Sequence, residues 1–103
     1  MPNDLGQALN YYGKLLIAER RFREAFDTLT TALPIARQAQ SPHLVAFVLA
    51  DLGRVEGTMG RTEQAMQHLV EARDLFEKHH VSLPVVSRTD RLIAQLSAKL
   101  RAG

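Results

Sequence analysis

The amino-acid sequence repeats itself at an offset of forty residues. Most positions that match between the two copies carry glycine, alanine or leucine, which are residues that pack inside proteins. The matching residues are Leu9, Gly13, Arg21, Ala25, Leu29 and Ala32 in the first copy, and Leu49, Gly53, Arg61, Ala65, Leu69 and Ala72 in the second. Self-similarity at a period of this length is typical of folds that stack one small structural unit.

The second copy contains two amphipathic segments, one on each side of Gly60. Their apolar residues recur every three or four positions, which places them on one face of an α-helix. The first stripe consists of Val45, Val48, Leu49, Leu52, Val55 and Met59, and the second of Ala65, Met66, Leu69, Ala72 and Phe76. A short connection makes two such helices antiparallel neighbours, and we expect the small residues Gly53 and Ala65 to face each other at a close crossing.

The order of residues in each copy resembles the tetratricopeptide repeat, with a large apolar residue, then glycine, alanine, a large apolar residue and alanine again. The resemblance covers residues 5 to 79, and the forty-residue period resembles the long-helix variety of a repeat that usually spans about 34 residues. It implies an all-α fold of antiparallel helical hairpins stacked as a short α-solenoid. We expect residues 1–103 to form a single domain, with repeat one at 4–40, repeat two at 41–80 and a C-terminal capping helix at 83–101.

Local signals place the helices of the first copy. Asn3 or Asp4 is expected to cap a helix at about 4 to 19, whose buried face would carry Leu5, Ala8, Leu9, Tyr12 and Leu15 or Leu16. A second helix begins near Phe22 and continues, kinked, through Pro34, because the apolar period persists on both sides of the proline. Arg20 takes the place of the turn glycine Gly60, and a positive φ there would cost arginine on the order of 1 kcal/mol.

The remaining helices have start signals of different strength. Ser41 followed by Pro42 is a strong signal for a helix that ends near Thr58. Thr62 is a weaker capping candidate for a helix that runs to about Lys78. Ser82 precedes a last helix, in which the apolar stripe is Val86, Leu92, Ile93, Leu96 and Leu100, while Arg88, Arg91, Gln95 and Lys99 lie largely outside.

Composition narrows the class of protein. The chain has 103 residues, no cysteine and a formal net charge of +2, and 46% of its residues are hydrophobic. These values predict a folded protein with one continuous core, and they indicate neither a disulfide framework nor a nucleic-acid-binding surface. No apolar run is long enough to span a bilayer, and the N-terminus lacks the features of a secretory signal. We therefore expect a cytoplasmic protein that binds neither membranes nor nucleic acids.

The sequence offers no constellation that indicates catalysis. There is no nucleophile with a neighbouring base and no phosphate loop, since Gly53 and Gly57 lie within one predicted helix. His79 and His80 are adjacent and would point about 100° apart on a helix, and no second pair converges on them to complete a metal site. We therefore expect no enzymatic activity, no cofactor and no metal.

In the family that the sequence resembles, the first helices of successive units line a concave groove that holds the ligand. This resemblance implies a peptide-binding groove lined by Gln7, Asn10, Lys14, Ile17, Phe47, Ala50, Arg54 and Thr58. Lys14 and Arg54 are equivalent in the two copies and would lie roughly 10 Å apart, one helix spacing. Two such cations would grip an acidic side chain or a terminal carboxylate, and arginine would do so bidentately. The alternative is that these residues form a solvated charged face.

The resemblance therefore predicts a non-catalytic module that binds a protein or an acidic peptide, of the kind found as a segment of a larger regulator or adaptor. An alternative is a self-association domain that forms a homodimer and has no separate ligand, because two repeats and a cap are fewer than the three usually needed for stability. A third reading is a small-molecule sensor, which requires a closed apolar pocket.

Overall fold

A computed structural model of the chain describes residues 2–102, apart from the side chains of residues 2, 3 and 83. This part of the chain is all-α and contains no strand, which confirms the predicted fold class. Its five helices are α1 (Pro2–Ala18), α2 (Phe22–Gln38), α3 (Pro42–Thr58), α4 (Thr62–Lys78) and α5 (Leu83–Ala102). None of the five combines the length and the apolar character needed to cross a bilayer.

The helices form two antiparallel hairpins and a terminal helix. α1 packs against α2 and α3 against α4, while α2 joins the two hairpins by packing on α3, and α5 packs mainly on α4. In each hairpin, a glycine allows the two helices to approach each other closely. A Cβ atom on Gly13 would lie 2.7 Å from Leu29 Cδ2, and one on Gly53 would lie 2.6 Å from Leu69 Cγ and 3.2 Å from the Ala65 carbonyl oxygen. The close crossing predicted for Gly53 and Ala65 is thus confirmed.

The first four helices end in turns that recur every twenty residues. Arg20, Gln40, Gly60 and His80 all have positive φ, with values of 62°, 54°, 82° and 57°. The amide that follows each of two of these turns donates a hydrogen bond back into the helix. The Arg21 amide donates to the Leu16 carbonyl at 2.9 Å, and the Arg61 amide donates to the Glu56 carbonyl at 2.8 Å. Glycine adopts this left-handed conformation at little cost, whereas arginine does not. The strain predicted for Arg20 is therefore present.

The helix starts agree only in part with the sequence signals. The Ser41 side chain accepts a hydrogen bond from the Leu44 amide at 3.3 Å, so the strong cap is confirmed. α1 begins at Pro2, which puts Asn3 and Asp4 inside its first turn instead of ahead of it. Thr62 is likewise the first residue of α4, and Arg61 is the residue that precedes the helix. Helix α2 continues through Pro34 to Gln38, as its apolar period indicates.

The arginine shared by the two copies precedes α2 and α4 but has different partners in each. Arg21 donates hydrogen bonds to Glu24 and Glu19, and its hydrogen bond holds the pKa of the Glu24 carboxyl below its usual value. The guanidinium of Arg61 instead lies 4.5 Å from the centroid of the Phe26 ring, a cation–π contact between the two hairpins. The repeated arginine therefore stabilises a turn in one copy and a contact between copies in the other.

The buried apolar residues form two clusters, which meet where Leu69 packs against Gly53 of α3, whereas the sequence analysis predicts one continuous core. The larger lies among α1 to α4 and includes Leu16, Leu29, Leu49 and Phe76. The smaller lies between α4 and α5, where Leu69 and Leu96 are its largest buried members. Each element of a solenoid packs only on its neighbours, so a core can be interrupted along the stack.

The predicted buried face of α1 is the main error in the sequence analysis. Leu16 is fully buried and Leu9 is half-buried, but Leu5, Ala8, Tyr12 and Leu15 are exposed, as is Leu100 in α5. The face of α1 that packs inside the molecule instead carries Gly6, Asn10, Gly13, Leu16 and Ile17. Helical periodicity identifies an apolar stripe, but it does not show whether a neighbouring helix covers that stripe.

Candidate functional site

Three adjoining cavities lie along the surface that α1, α3 and α5 share, and we refer to them together as the groove. The first has a volume of about 300 Å³ between α1 and α3, the second about 240 Å³ between α1, α3 and α5, and the third about 290 Å³ between α3, α4 and α5. Lys14 and Phe47 line both the first and the second cavity, and Arg54 and Leu92 line both the second and the third. The groove is therefore continuous across the two repeats and the terminal helix.

Most of the residues predicted for a binding groove do line it. The lining residues are Gln7, Asn10, Lys14 and Phe47 in the first cavity, Ala50 and Arg54 in the second, and Thr58 in the third. Ile17 is the exception, because it is only 8% exposed and belongs to the core. It follows Lys14 by three residues, which rotates it about 60° around the helix, away from the groove and toward α2.

A buried polar cluster connects the two repeats at the floor of the groove. Asp51 of α3 is 5% exposed and accepts a hydrogen bond from the Asn10 amide of α1 at 3.0 Å. The same carboxylate oxygen lies 2.8 Å from Lys14 Nζ. A buried carboxylate is stable only when it is hydrogen-bonded or ion-paired. Asn10 and Lys14 therefore fix the position of α1 on α3, and the charge of Lys14 is already balanced inside the protein.

Aromatic rings form the wall of the groove beside this cluster. The rings of Phe47 and Phe76 are 5.1 Å apart in an edge-to-face arrangement, and Lys14 Nζ lies 5.8 Å from the centroid of Phe47. Phe76 is buried, whereas Phe47 is half-buried and faces the first two cavities. Edge-to-face packing fixes the orientation of both rings. The groove thus presents a rigid apolar surface next to its charged residues.

The groove carries an excess of positive charge. Its basic residues are Lys14, Arg54, Arg88 and Lys99, and Asp51 is the one acidic residue among those that line the three cavities. Within residues 2–102, no ion pair involves Arg54, Arg88 or Lys99. Because Asp51 balances Lys14, the charge available to a ligand comes from the other three.

Of the five Lys, Arg and Asp residues that line the groove, sequence reasoning missed three, which are Asp51, Arg88 and Lys99. Asp51 was detectable as an acid inside the apolar stripe of α3, between Val48 and Val55, which is a position that demands a partner. Arg88 and Lys99 belong to α5, which lacks the glycine of the repeat and therefore could not be aligned with α1 and α3. Lys14, Arg54 and Arg88 all line the second cavity, so the structure adds a cation of α5 to the two that the repeat predicts.

The histidines form no metal site in the part of the chain that is described, although His43 lines the first cavity of the groove. His43 and His79 have ring centroids 5.7 Å apart, but no group of three or more His, Asp or Glu side chains converges anywhere in residues 2–102. His68 Nδ1 lies 2.6 Å from the carboxylate of buried Glu56. That pair links α4 to α3 and contributes to packing.

Comparison with known proteins gives a family match and several similar solved structures, two of which are described here. The family model of the tetratricopeptide repeat matches residues 4–78. The crystal structure of the apo form of RapI has a TM-score of 0.88 and 21% sequence identity, and the match covers 98% of this chain. The crystal structure of the TPR domain of Arabidopsis FLU has a TM-score of 0.74 and 12% identity, and the match covers 100% of both chains. This chain spans 28% of the RapI chain, and no curated protein matches its sequence.

Proposed function

The chain belongs to the tetratricopeptide repeat family, and we propose that it is a non-catalytic interaction module of the cytoplasm that binds an acidic segment of a protein partner in the groove. Tetratricopeptide repeats are generally protein–protein interaction modules. The observation that carries the acidic specificity is the set of basic residues Arg54, Arg88 and Lys99, which line the groove without an ion-pair partner in residues 2–102. We propose in addition that the module is a segment of a larger regulator or adaptor, since it spans 28% of the RapI chain.

The groove suits a peptide that carries both acidic and apolar side chains. Arg54 and Arg88 approach the second cavity from different helices, so together they would hold a carboxylate from two sides. Phe47 offers an apolar surface beside them for a neighbouring side chain of the peptide. Of the residues predicted from the sequence, Gln7 and Thr58 would contribute polar contacts toward the two ends of the groove.

The proposal is tested with a fluorescent peptide in which glutamate alternates with leucine, titrated into the wild-type protein and into the Arg54→Glu, Arg88→Glu double variant. We expect the wild type to bind more weakly as salt rises, because exposed charges are screened over a Debye length of about 8 Å at physiological ionic strength. The double variant should not bind. Lys14 is left unchanged, because an acid at that position would lie against buried Asp51.

A matched control separates the groove from net charge. Arg91 and Arg101 are also exposed arginines of α5, and they line none of the three cavities. The Arg91→Glu, Arg101→Glu variant changes the net charge by the same amount, and we expect it to bind the peptide nearly as well as the wild type. Equal loss in both double variants would show that the peptide responds only to overall charge and would contradict a groove site.

Self-association as a homodimer is the second candidate, and a separate observation favours it. The exposed apolar side chains of residues 2–102 are concentrated on α1, outside the three cavities apart from Tyr11. A dimer through that surface would leave most of the groove open, so the two proposals do not exclude each other.

A further inference from the structure

The second cavity of the groove differs from the other two in combining two arginines with an aromatic wall. Its basic residues are Lys14, Arg54 and Arg88 and its acidic residue is Asp51, so its lining carries a net charge of +2. Lys14 and Asp51 balance each other as an ion pair. Arg54 and Arg88 are exposed and form no ion pair within residues 2–102. The charge that this cavity offers to a ligand is therefore that of two guanidinium groups, one from α3 and one from α5.

Most of the other side chains that line this cavity are apolar. They are Phe47, Ala50, Phe76, Val85 and Leu92. The rings of Phe47 and Phe76 pack edge to face with centroids 5.1 Å apart, which fixes the shape of the wall. The third cavity also has two cations, Arg54 and Lys99, but no aromatic ring of residues 2–102 lines it. A ligand that fits the second cavity therefore needs an apolar body as well as negative charge.

The volume of the second cavity suits a single side chain. It is about 240 Å³, whereas pockets that enclose whole small molecules span about 300 to 1,000 Å³. The cavity adjoins its neighbours on both sides, because Phe47 also lines the first cavity and Arg54 also lines the third. A peptide with one side chain in the second cavity would therefore have space for its flanking residues in the other two.

Two unpaired guanidinium groups fit a dianion better than they fit a carboxylate. Each guanidinium presents a planar fork of N–H donors that binds anionic oxygens bidentately. A carboxylate has one charge and two oxygens, so it would leave one of the two arginines uncompensated. A phosphate monoester carries about −1.5 to −2 charges at pH 7 and three acceptor oxygens, which is enough for both. Phosphoserine has no apolar body to carry this group, whereas phosphotyrosine carries it on an aromatic ring.

We propose that the second cavity binds a phosphotyrosine side chain of the partner, with Arg54 and Arg88 on the phosphate and Phe47 and Phe76 beside the ring. This site rests on the proposed binding of an acidic segment in the groove, and it specifies which acidic side chain the partner contributes. Lys14 keeps its place on Asp51, so that the buried carboxylate is neutralised and does not repel the phosphate.

Four versions of one fluorescent peptide test this site. Leucine and glutamate flank a central residue that is phosphotyrosine, tyrosine, phosphoserine or glutamate, and fluorescence anisotropy at fixed ionic strength measures each dissociation constant. The phosphotyrosine version is expected to bind roughly tenfold tighter than each of the others, because they lack the phosphate, the ring or both. Equal binding of the phosphotyrosine version and the tyrosine or glutamate version would overturn the phosphate contacts. Equal binding of the phosphotyrosine and phosphoserine versions would overturn the contact with the ring.

Substitution of Arg88 tests whether the preference arises in the second cavity. Arg88→Gln should reduce the preference for phosphotyrosine over tyrosine to about threefold or less. Lys99→Gln is the matched control, because Lys99 lines the third of the three cavities and not the second. It should weaken both versions by the same factor and leave their ratio unchanged. Circular dichroism shows that both variants are folded. An equal loss of preference in the two variants would mean that the phosphate responds to overall charge, which would overturn the site.

Competition with free anions tests the apolar wall separately. Phenyl phosphate should displace the phosphotyrosine peptide at a lower concentration than inorganic phosphate does, since only phenyl phosphate has a ring to place beside Phe47. Equal displacement by the two anions at matched ionic strength would overturn the role of the wall.

Failure of the phosphotyrosine site and failure of the groove proposal give different results. If the four versions bind the wild type alike and none binds the Arg54→Glu, Arg88→Glu variant, the groove holds acidic segments but the phosphotyrosine site is wrong. If no version binds the wild type, both proposals are wrong. Tighter binding of the phosphotyrosine version, lost in Arg88→Gln and kept in Lys99→Gln, supports both.

Discussion

Asp51 connects the two repeats, because it is buried in the second and receives both of its partners from the first. Its carboxylate binds the Asn10 amide and the Lys14 ammonium of α1. Lys14 is 44% exposed and can return to water when the pair is broken, but Asn10 is only 5% exposed and cannot. The hydrogen bond to Asn10 therefore contributes more to the stability of the fold than the ion pair with Lys14 does.

Replacing Asp51 with alanine is expected to lower the free energy of unfolding by about 1 to 3 kcal/mol, since the Asn10 amide would be left buried without its acceptor. Urea denaturation followed by circular dichroism measures the change. Glu63→Ala provides the control, because Glu63 is an exposed acid of α4 and should contribute little. If the two variants were equally stable, the cluster would not be what holds α1 on α3.

Gly60 and Arg20 provide a second comparison between equivalent residues. A Cβ atom on Gly60 would meet no atom within 4 Å, so Gly60→Ala changes only the backbone preference at φ 82° and should cost about 1 kcal/mol. Arg20→Gly removes the same strain and should increase stability by a smaller amount, because glycine also makes the unfolded chain more flexible. Thermal denaturation of both proteins should show midpoint shifts of opposite sign, and shifts of the same sign would contradict this explanation.

The hairpins of this molecule depend on pairs of one glycine and one leucine. Gly13 accommodates Leu29, and Gly53 accommodates Leu69. The periodic apolar stripe alone would predict a helix at each place, but the glycines determine how closely the helices approach. This part of the fold was predictable because the residues that matter are identical in the two copies. Helix order and most helix ends were predictable for the same reason.

Ala65→Leu tests the crossing of α3 and α4. Ala65 is fully buried and its carbonyl oxygen lies at the position where Gly53 meets α4, so three added carbon atoms have no space. We expect a loss of about 1 to 3 kcal/mol in the free energy of unfolding. Ala94→Leu makes the same chemical change at an exposed position of α5 and should be nearly neutral. A neutral Ala65→Leu variant would show that the crossing can open at little cost.

At the scale of the whole molecule, periodicity predicts which residues are apolar but not which helices are neighbours. This is why the buried stripe of α3 was predicted correctly, while the equivalent stripe of α1, including Leu5 and Leu15, is exposed. The same limit applies to the groove. Its residues on α1 and α3 followed from the repeat, but Arg88 and Lys99 reach it only because α5 packs on α4 beside α3.

The division of the core predicts that the helices differ in local stability. α3 packs against all four other helices, whereas α5 packs mainly on α4, and in α5 only Thr89 and Leu96 are buried among its described side chains. Hydrogen exchange followed by mass spectrometry should therefore show the slowest exchange in α3 and faster exchange throughout α5. Leu96→Ala removes the main contact of α5 in the smaller cluster, and a core truncation of this type costs about 2 to 5 kcal/mol.

This variant should accelerate exchange in α5 at least tenfold, since about 1.4 kcal/mol already corresponds to that factor. Exchange in α1 and α2 should stay unchanged, because Leu96 contacts neither and the larger cluster remains intact. A uniform increase in all five helices would mean that the two clusters unfold together, and the separation of the core would then have no consequence for stability. A change restricted to α5 and to the part of α4 around Leu69 would instead show that the terminal helix opens by itself, which exposes the third cavity of the groove while the two repeats stay folded.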